Sequence, residues 1–301
     1  MARRFAVALV ALLACGFARP AGADDAPVPV YAQMPAHPAL WTVHGPKGTA
    51  YLFGSVHILP PQVDWHTKEI DAAIARADTF VFEIAIDGTT QAKLQNYIRQ
   101  HAMLPKGQHL RDMLAPDARA DFDKAVAGLA VAPQSLDRLR PWFAALTIDM
   151  IDLGKQHYSP QAGIEMQLQS HEAKDKPVIG LETVEQQLGF LAPKDPKLEL
   201  QAFEAELRST AHEHEEIGPL LDAWMQGDTK ELARLTFADM KKYPQAQKIL
   251  IDDRNKVWVK QISALLNEDK VYFITVGAAH LVGPRGVPAL LRAKGLAVDG
   301  P

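Results

Sequence analysis

The sequence contains a single cysteine, Cys15, which lies among the first 23 residues. Two arginines there precede an apolar run at 5–16, and Ala21-Gly22-Ala23 has the small-x-small pattern of a signal-peptide cleavage site. We predict that 1–23 is a signal peptide cleaved after Ala23. The mature chain would then have no cysteine, which excludes disulfides, thiolate metal sites and a cysteine nucleophile.

A lipid anchor is the minor alternative for this segment. Leu12-Leu13-Ala14-Cys15 weakly resembles a lipoprotein attachment site, but the site after Ala23 is the better formed. No other apolar run approaches the length of a membrane span, so we expect no transmembrane segment in the mature chain. The predicted location is therefore the periplasm or the exterior of the cell.

The sequence also lacks a dense cluster of basic residues. Cleavage after Ala23 removes three arginines and leaves 29 basic residues against 36 acidic ones, a formal charge of −7. A mature chain of this sign, without a basic patch, is a poor candidate for binding nucleic acid. The expected ligand is a peptide or a small molecule, and the sequence leaves the oligomeric state open.

Several common catalytic motifs are absent. The sequence has no His-Glu-x-x-His, no Gly-x-Ser-x-Gly nucleophile elbow and no Gly-rich phosphate loop. Ser55 is close to His57 but has no elbow around it, which makes it a poor nucleophile candidate.

Short apolar runs alternate with helical patterns along the chain, and this alternation predicts an α/β fold. The strand candidates are 39–43, 50–53, 79–82, 176–182 and 271–276. Such alternation is typical of a mostly parallel central sheet covered by helices. We expect one domain over 24–301, with helical insertions at about 88–172 and 184–267 that form a large helical cap.

Four strand candidates end on, or just before, a residue that can bind a metal or transfer a proton: His57, Glu83, Glu182 and His280. In open α/β sheets, ligands bind beyond the carboxyl ends of the strands. Two imidazoles and one or two carboxylates at that edge suit a divalent ion such as Mn, Co, Zn or Fe. The same residues could act as a general acid and base without a metal.

The spacing of the two histidines is weak evidence by itself. Gly54-x-x-His57 and Gly277-x-x-His280 are joined by a third copy, Gly154-x-x-His157, which falls in or at the end of a helical pattern. The first two copies differ from the third because each directly follows an apolar, β-rich run. Strand context, rather than spacing, therefore selects His57 and His280.

The order of these motifs resembles the TraB/PrgY/GumN family, which is related to the Tiki proteins. The resemblance covers residue 39 to the end of the chain. The matching segments are 52–57, Phe82-Glu83, Pro141-Trp142, Gly163-Ile164-Glu165, 176–183, Arg254-Asn255 with Trp258, and 276–283.

The resemblance implies a fold like that of the Tiki, erythromycin-esterase and ChaN group, and a metal-dependent hydrolase related to metalloproteases. On matching positions it implies His57, Glu83 and His280 as the core functional residues. Glu165, Glu182 and Arg254 follow in second rank. The chain departs from the membrane-linked Tiki relatives because we expect no anchor after cleavage.

Three hypotheses follow. The first is an exported metal-dependent hydrolase, most simply a peptidase, in which His57, His280 and Glu83 hold the ion. Glu165 or Glu182 would then activate water. The second is a non-catalytic periplasmic protein that binds a metal, haem or a small ligand at the same edge. The third is a metal-free hydrolase that uses a His/Glu pair.

Overall fold

The computed structural model describes residues 35–129, 131–192, 195–210, 217–241 and 243–301. The predicted signal peptide and Cys15 lie outside the described residues. Among those that are described, no helix is long and apolar enough to cross a membrane.

Six strands form one sheet in the order β4-β3-β5-β2-β1-β6. The strands are β1 (Leu40–His44), β2 (Thr49–Ser55), β3 (Thr79–Phe82), β4 (Val178–Gly180), β5 (Val271–Gly277) and β6 (Ala297–Asp299). Strands β4, β3, β5 and β2 are mutually parallel, whereas β1 pairs antiparallel with both β2 and β6. The predicted α/β class with a mostly parallel central sheet is confirmed.

The β2–β5 pair joins two strands that are far apart in the sequence. Its register places Gly54 opposite Val276 and Ser55 opposite Gly277. Because parallel strands end at the same edge, the residues that follow β2 and β5 leave the sheet side by side. Apart from the partly buried Tyr51, the interiors of these strands are buried, as expected for a parallel sheet covered on both faces.

Helices account for most of the remaining described chain. The α-helices are α1 (Lys68–Arg76), α2 (Gly88–His101), α3 (Leu110–Met113), α4 (Pro116–Leu129), α5 (Pro133–Asp137), α6 (Pro141–Lys155), α7 (Ile164–Ser170), α8 (Val184–Leu191), α9 (Pro196–Thr210), α10 (Ile217–Met225), α11 (Thr229–Met240), α12 (Pro244–Gln247), α13 (Asp253–Leu265) and α14 (Val287–Ala293). A π-helical segment, Lys248–Asp252, precedes α13, and 3₁₀ turns cover Pro160–Ala162 and Ala278–His280.

Pro141 begins a new helix shortly after α5 ends at Asp137. It is the first residue of α6, where its missing N–H costs nothing because the first helical N–H groups have no partner within the helix. The chain therefore forms two separate helices here, α5 and α6, rather than one kinked helix.

The helices of the two predicted insertions share a second hydrophobic cluster, apart from the one around the sheet. Phe122 of α4 packs edge-on against Phe203 of α9, with ring centroids 6.1 Å apart. Glu199 of α9 accepts hydrogen bonds from the Arg140 guanidinium and from the backbone N–H of Trp142. These contacts join the first insertion to the second.

Gly163 offers a test of how closely α7 packs against the sheet edge. A Cβ at this position would lie 2.0 Å from the backbone oxygen of His57, so Gly163→Ala forces the start of α7 away from the strand end. We expect the free energy of unfolding to fall by about 1–3 kcal/mol or more, measured by urea denaturation.

Gly189→Ala in α8 is the matched control, because a Cβ there meets nothing within 4 Å. The control should be neutral or more stable, by up to about 1 kcal/mol. Equal stability of the two variants would contradict the close packing of Gly163.

Candidate functional site

The six residues singled out in the sequence converge at the carboxyl edge of the parallel strands. They are His57, Glu83, Glu165, Glu182, Arg254 and His280. Five of them are almost fully buried, and Glu182 is partly buried. They come from the ends of four strands and the first turns of two helices, which are far apart in sequence.

Arg254 is the central side chain of this group. Its Nε and Nη2 donate to the two oxygens of Glu182 at 2.7 and 2.9 Å, and Nη2 also donates to Oε2 of Glu83 at 2.6 Å. The guanidinium lies 4.7 Å from the ring centroid of Trp258 and 5.4 Å from that of Phe190. A planar guanidinium suits this position because it can bridge two carboxylates while its faces pack on aromatic rings.

A π-helical segment directly before α13 also binds the Arg254 side chain. The π-helical segment ends directly before α13, and its Leu250 carbonyl accepts a further hydrogen bond from Arg254 Nη1 at 3.2 Å. π-Helical turns are rare and occur frequently at functional sites.

Glu83 remains ionised because donors surround its carboxylate. Oε1 accepts from the backbone N–H of Gly277 at 2.8 Å, and Oε2 accepts from Arg254 and from Nε2 of Gln187. Burial would raise the pKa of Glu83, but Arg254, His280 and His57 outweigh it and lower that pKa to about 2. For Glu182 burial is the larger effect, and it raises the pKa despite the hydrogen bonds from Arg254.

His280 is held as a neutral imidazole of one tautomer. The Asn255 amide donates through Nδ2 to the carbonyls of His280 and Arg285, so its Oδ1 faces His280 Nδ1 at 2.7 Å. Nδ1 must therefore carry the proton, which leaves Nε2 to accept from Arg254 Nη1 at 3.1 Å. Burial, with the positive charge of Arg254, lowers the pKa of His280 to about 3.

His57 has the opposite electrostatic environment. Its Nδ1 lies 2.8 Å from Oε1 of Glu165, which also accepts a hydrogen bond from the Ser55 hydroxyl. Burial lowers the pKa of His57, but the carboxylates of Glu165 and Glu83 outweigh burial and raise it above its ordinary value. Nε2 of His57 is buried and has no hydrogen-bond partner.

The side chains of Glu83, His57 and His280 meet at the point where a Cβ of residue 277 would stand, which we call the space above Gly277. A Cβ on Gly277 would lie 3.2 Å from Oε1 of Glu83, 3.6 Å from Nε2 of His57 and 3.7 Å from Cδ2 of His280. Glycine at this strand end therefore leaves a small space that a side chain would take up. The two Gly-x-x-His motifs line the same point, as the strand-end argument predicted.

Three further side chains hold members of the centre in place, and none of them was predicted to do so. Ser55 holds Glu165, Asn255 fixes His280, and Gln187 of α8 donates to Glu83. The sequence indicated Asn255 only as part of the family motif Arg254-Asn255 with Trp258. Gln187 had a usable signal, because it lies on the buried face of the helix that begins directly after Glu182 and Thr183.

The site fits a divalent ion in the type of its donors. His57 has a free Nε2 and a carboxylate on Nδ1, which is how metal-binding histidines are usually oriented. However, Arg254 already hydrogen-bonds to Nε2 of His280 and Oε2 of Glu83, two atoms that an ion would need as ligands. In the described parts of the chain, no three His, Asp or Glu side chains are grouped so that they could hold a metal ion. Metal ligation by His57, His280 and Glu83 remains a prediction.

The fold and the site together define an α/β protein with a buried histidine–carboxylate–guanidinium centre at the carboxyl edge of its sheet. The sequence profile of the TraB/PrgY/gumN family matches residues 39–299, and the chain belongs to this family. This confirms the resemblance inferred from the motifs.

Two curated relatives share this family's pattern at low identity. The chain is 23% identical over 252 residues to "Uncharacterized protein YbaP" of Shigella flexneri, covering 81% of this chain and 88% of the relative. It is 23% identical over 251 residues to the protein of the same name from Escherichia coli strain K12, covering 80% and 87%. No solved structure matches the chain significantly.

The two buried histidines should titrate far apart. His280 should stay neutral until the pH falls to about 3, because burial and Arg254 disfavour its charged form. The pKa of His57 should lie above its ordinary value of 6.5, because the carboxylates of Glu165 and Glu83 favour the charged ring. We expect ¹⁵N imidazole shifts in a pH titration to show His280 protonated at Nδ1 alone throughout the neutral range.

These shifts have opposite effects on stability. The unfolded chain protonates His280 below pH 6.5 and the folded chain does not, so this residue lowers the free energy of unfolding as pH falls, by at most about 1.4 kcal/mol per unit. The contribution of His57 is fully present below pH 6.5 and is lost as pH rises through its folded pKa. A His280 ring that titrates above 6.5 would contradict the assigned network.

Proposed function

We propose that this chain is a hydrolase whose reaction takes place in the space above Gly277. The observation that carries the proposal is the buried, unpartnered Nε2 of His57, with Glu165 on the other ring nitrogen. A histidine oriented by a carboxylate through one nitrogen and free at the other is the arrangement that general-base catalysis requires.

Each neighbouring residue has a role in this proposal. Glu165 orients the His57 ring and stabilises its positive charge after Nε2 takes a proton from water or another nucleophile. Ser55 holds Glu165 in that orientation. Arg254 balances the charges of Glu83 and Glu182, and neutral His280 adds no second positive charge beside His57.

In the metal-dependent form of the reaction, the proposed cofactor is a divalent ion, Mn, Co, Zn or Fe, which His57, His280 and Glu83 would hold. His57 Nε2 would then bind the ion instead of acting as the base. When bound, such an ion would lower the pKa of water and polarise a carbonyl oxygen. Ligation by His280 requires Nε2 to exchange the Arg254 hydrogen bond for the ion. Glu165 or Glu182 would then be the carboxylates available to accept a proton.

The proposed substrate is a peptide, because the family resemblance points to relatives of metalloproteases. We propose that the chain acts outside the cytoplasm after cleavage following Ala23. Mass spectrometry of the protein recovered from the cell envelope and the medium checks this location. An intact N-terminus on all of the recovered protein would contradict it.

A peptide-library cleavage assay tests the hydrolase proposal, with and without added Mn, Co or Zn. His57→Gln should lower the rate by about 10²–10⁴-fold, the range for loss of a general base. Glu165→Gln should lower it less, because the imidazole remains but loses the carboxylate that orients it. His66→Gln is the matched control, since His66 is exposed and its ring pairs with Asp71 and stacks on Trp65.

The same proteins separate the metal-dependent reaction from the metal-free one. Elemental analysis of the purified wild-type protein should find one divalent ion per chain, and His57→Gln and His280→Gln should both lose it. Cleavage that persists after chelation would support the metal-free reaction of His57 and Glu165. Metal content without any cleavage would support the non-catalytic binding protein.

A further inference from the structure

Gln187 places an unpaired hydrogen-bond acceptor inside the centre. The residue is 2% exposed, and its Nε2 donates to Oε2 of Glu83 at 2.7 Å. Its Oε1 is buried and has no partner. A buried amide oxygen left in this state costs free energy, so it calls for a donor from outside the network.

The orientation of the amide follows from the chemistry of Glu83. An ionised carboxylate can only accept hydrogen bonds, so the NH₂ group of Gln187 must face it. Oε1 sits on the same carbon as Nε2 and therefore lies beside the Glu83 carboxylate. Helix α8 fixes this placement, because Thr183 and Gln186 form a reciprocal capping box at its start.

The other donors nearby are already engaged. The Arg254 nitrogens bond Glu182, Glu83, His280 and the Leu250 carbonyl, and the Gly277 N–H bonds Glu83. Within the network described, Nε2 of His57 and Oε2 of Glu165 also lack a partner, and His57 Nε2 lines the space above Gly277. The Glu83 carboxylate links Gln187 to this space, because its Oε2 accepts from Gln187 and its Oε1 lies 3.2 Å from the Cβ position on Gly277.

We propose that Gln187 is a specificity-determining residue, and that its Oε1 accepts a hydrogen bond from an N–H or O–H group of the bound ligand. The inference rests on the proposed function in one respect, that a ligand binds in the space above Gly277. It adds that the recognised group is a hydrogen-bond donor. An amide N–H of a peptide has this chemistry, and an ester oxygen or a ketone does not.

Acetamide and acetone form a suitable pair of probes, because they have nearly the same shape and share the carbonyl acceptor, while only acetamide has N–H donors. Small probes also suit a centre whose residues are almost fully buried. Binding is measured on the full chain by NMR titration of the Gln187 side-chain amide, assigned by its loss in Gln187→Met, and of the His57 ring. We expect acetamide to shift these signals and to bind about tenfold more tightly than acetone.

Gln187→Met should abolish the preference for acetamide, as followed at the His57 ring. Gln201→Met is the matched control, because it makes the same substitution at an exposed position of α9 and leaves the capping box of α8 intact. That variant should keep the tenfold preference. If Gln187→Met does not fold, Gln187→Asn replaces it, since the shorter side chain keeps a polar amide but withdraws its oxygen by one carbon, and it should lose the preference.

Equal binding of acetamide and acetone, binding of neither, or a preference that survives Gln187→Met would each overturn the proposal. Peptide cleavage by the wild-type protein together with equal binding of the two probes would overturn the role of Gln187 alone. Acetamide preference without cleavage would leave Gln187 in place and overturn the proposed reaction.

Discussion

The paired charges around Arg254 are the interaction on which the rest of the site depends. An ion buried without a partner is too costly to persist, so Glu83 and Glu182 each require a cation at their strand end. One guanidinium supplies both and also contacts His280. This links the strand ends of β3, β4 and β5 to the start of α13, and removing Arg254 would leave two carboxylates without their shared counter-charge.

The same guanidinium separates the two histidines chemically. His280 lies against Arg254 and is held neutral, while His57 lies against Glu165 and binds its proton more tightly. Titratable groups whose environments push their pKa values apart are typical of acid–base centres. Two residues that are equivalent in the sequence motif thus differ in the structure, because each has a different charge beside it.

The sheet and the convergence of the site could be predicted from the sequence, since both follow from local patterns. Apolar runs mark β2, β3 and β5, and polar residues directly after them must meet where parallel strands end. Roles within the centre could not be predicted in this way. Whether His280 faces a metal or Arg254, and whether Gln187 or Gln186 turns inward, depends on side-chain packing between segments 26 and 104 residues apart, which no local pattern encodes.

The strand order has a consequence for how the chain reaches its native state. Strand β5 lies between β2 and β3, so the two halves of the sheet are joined only by a segment near the C-terminus. The contacts of Arg254 with Glu83 and of Gly277 with Glu83 span 171 and 194 residues. Such high contact order makes folding slow, because long loops must close before the contacts that reward them exist. During synthesis the centre stays incomplete until residue 280 has left the ribosome, and a chain truncated before that residue cannot assemble it.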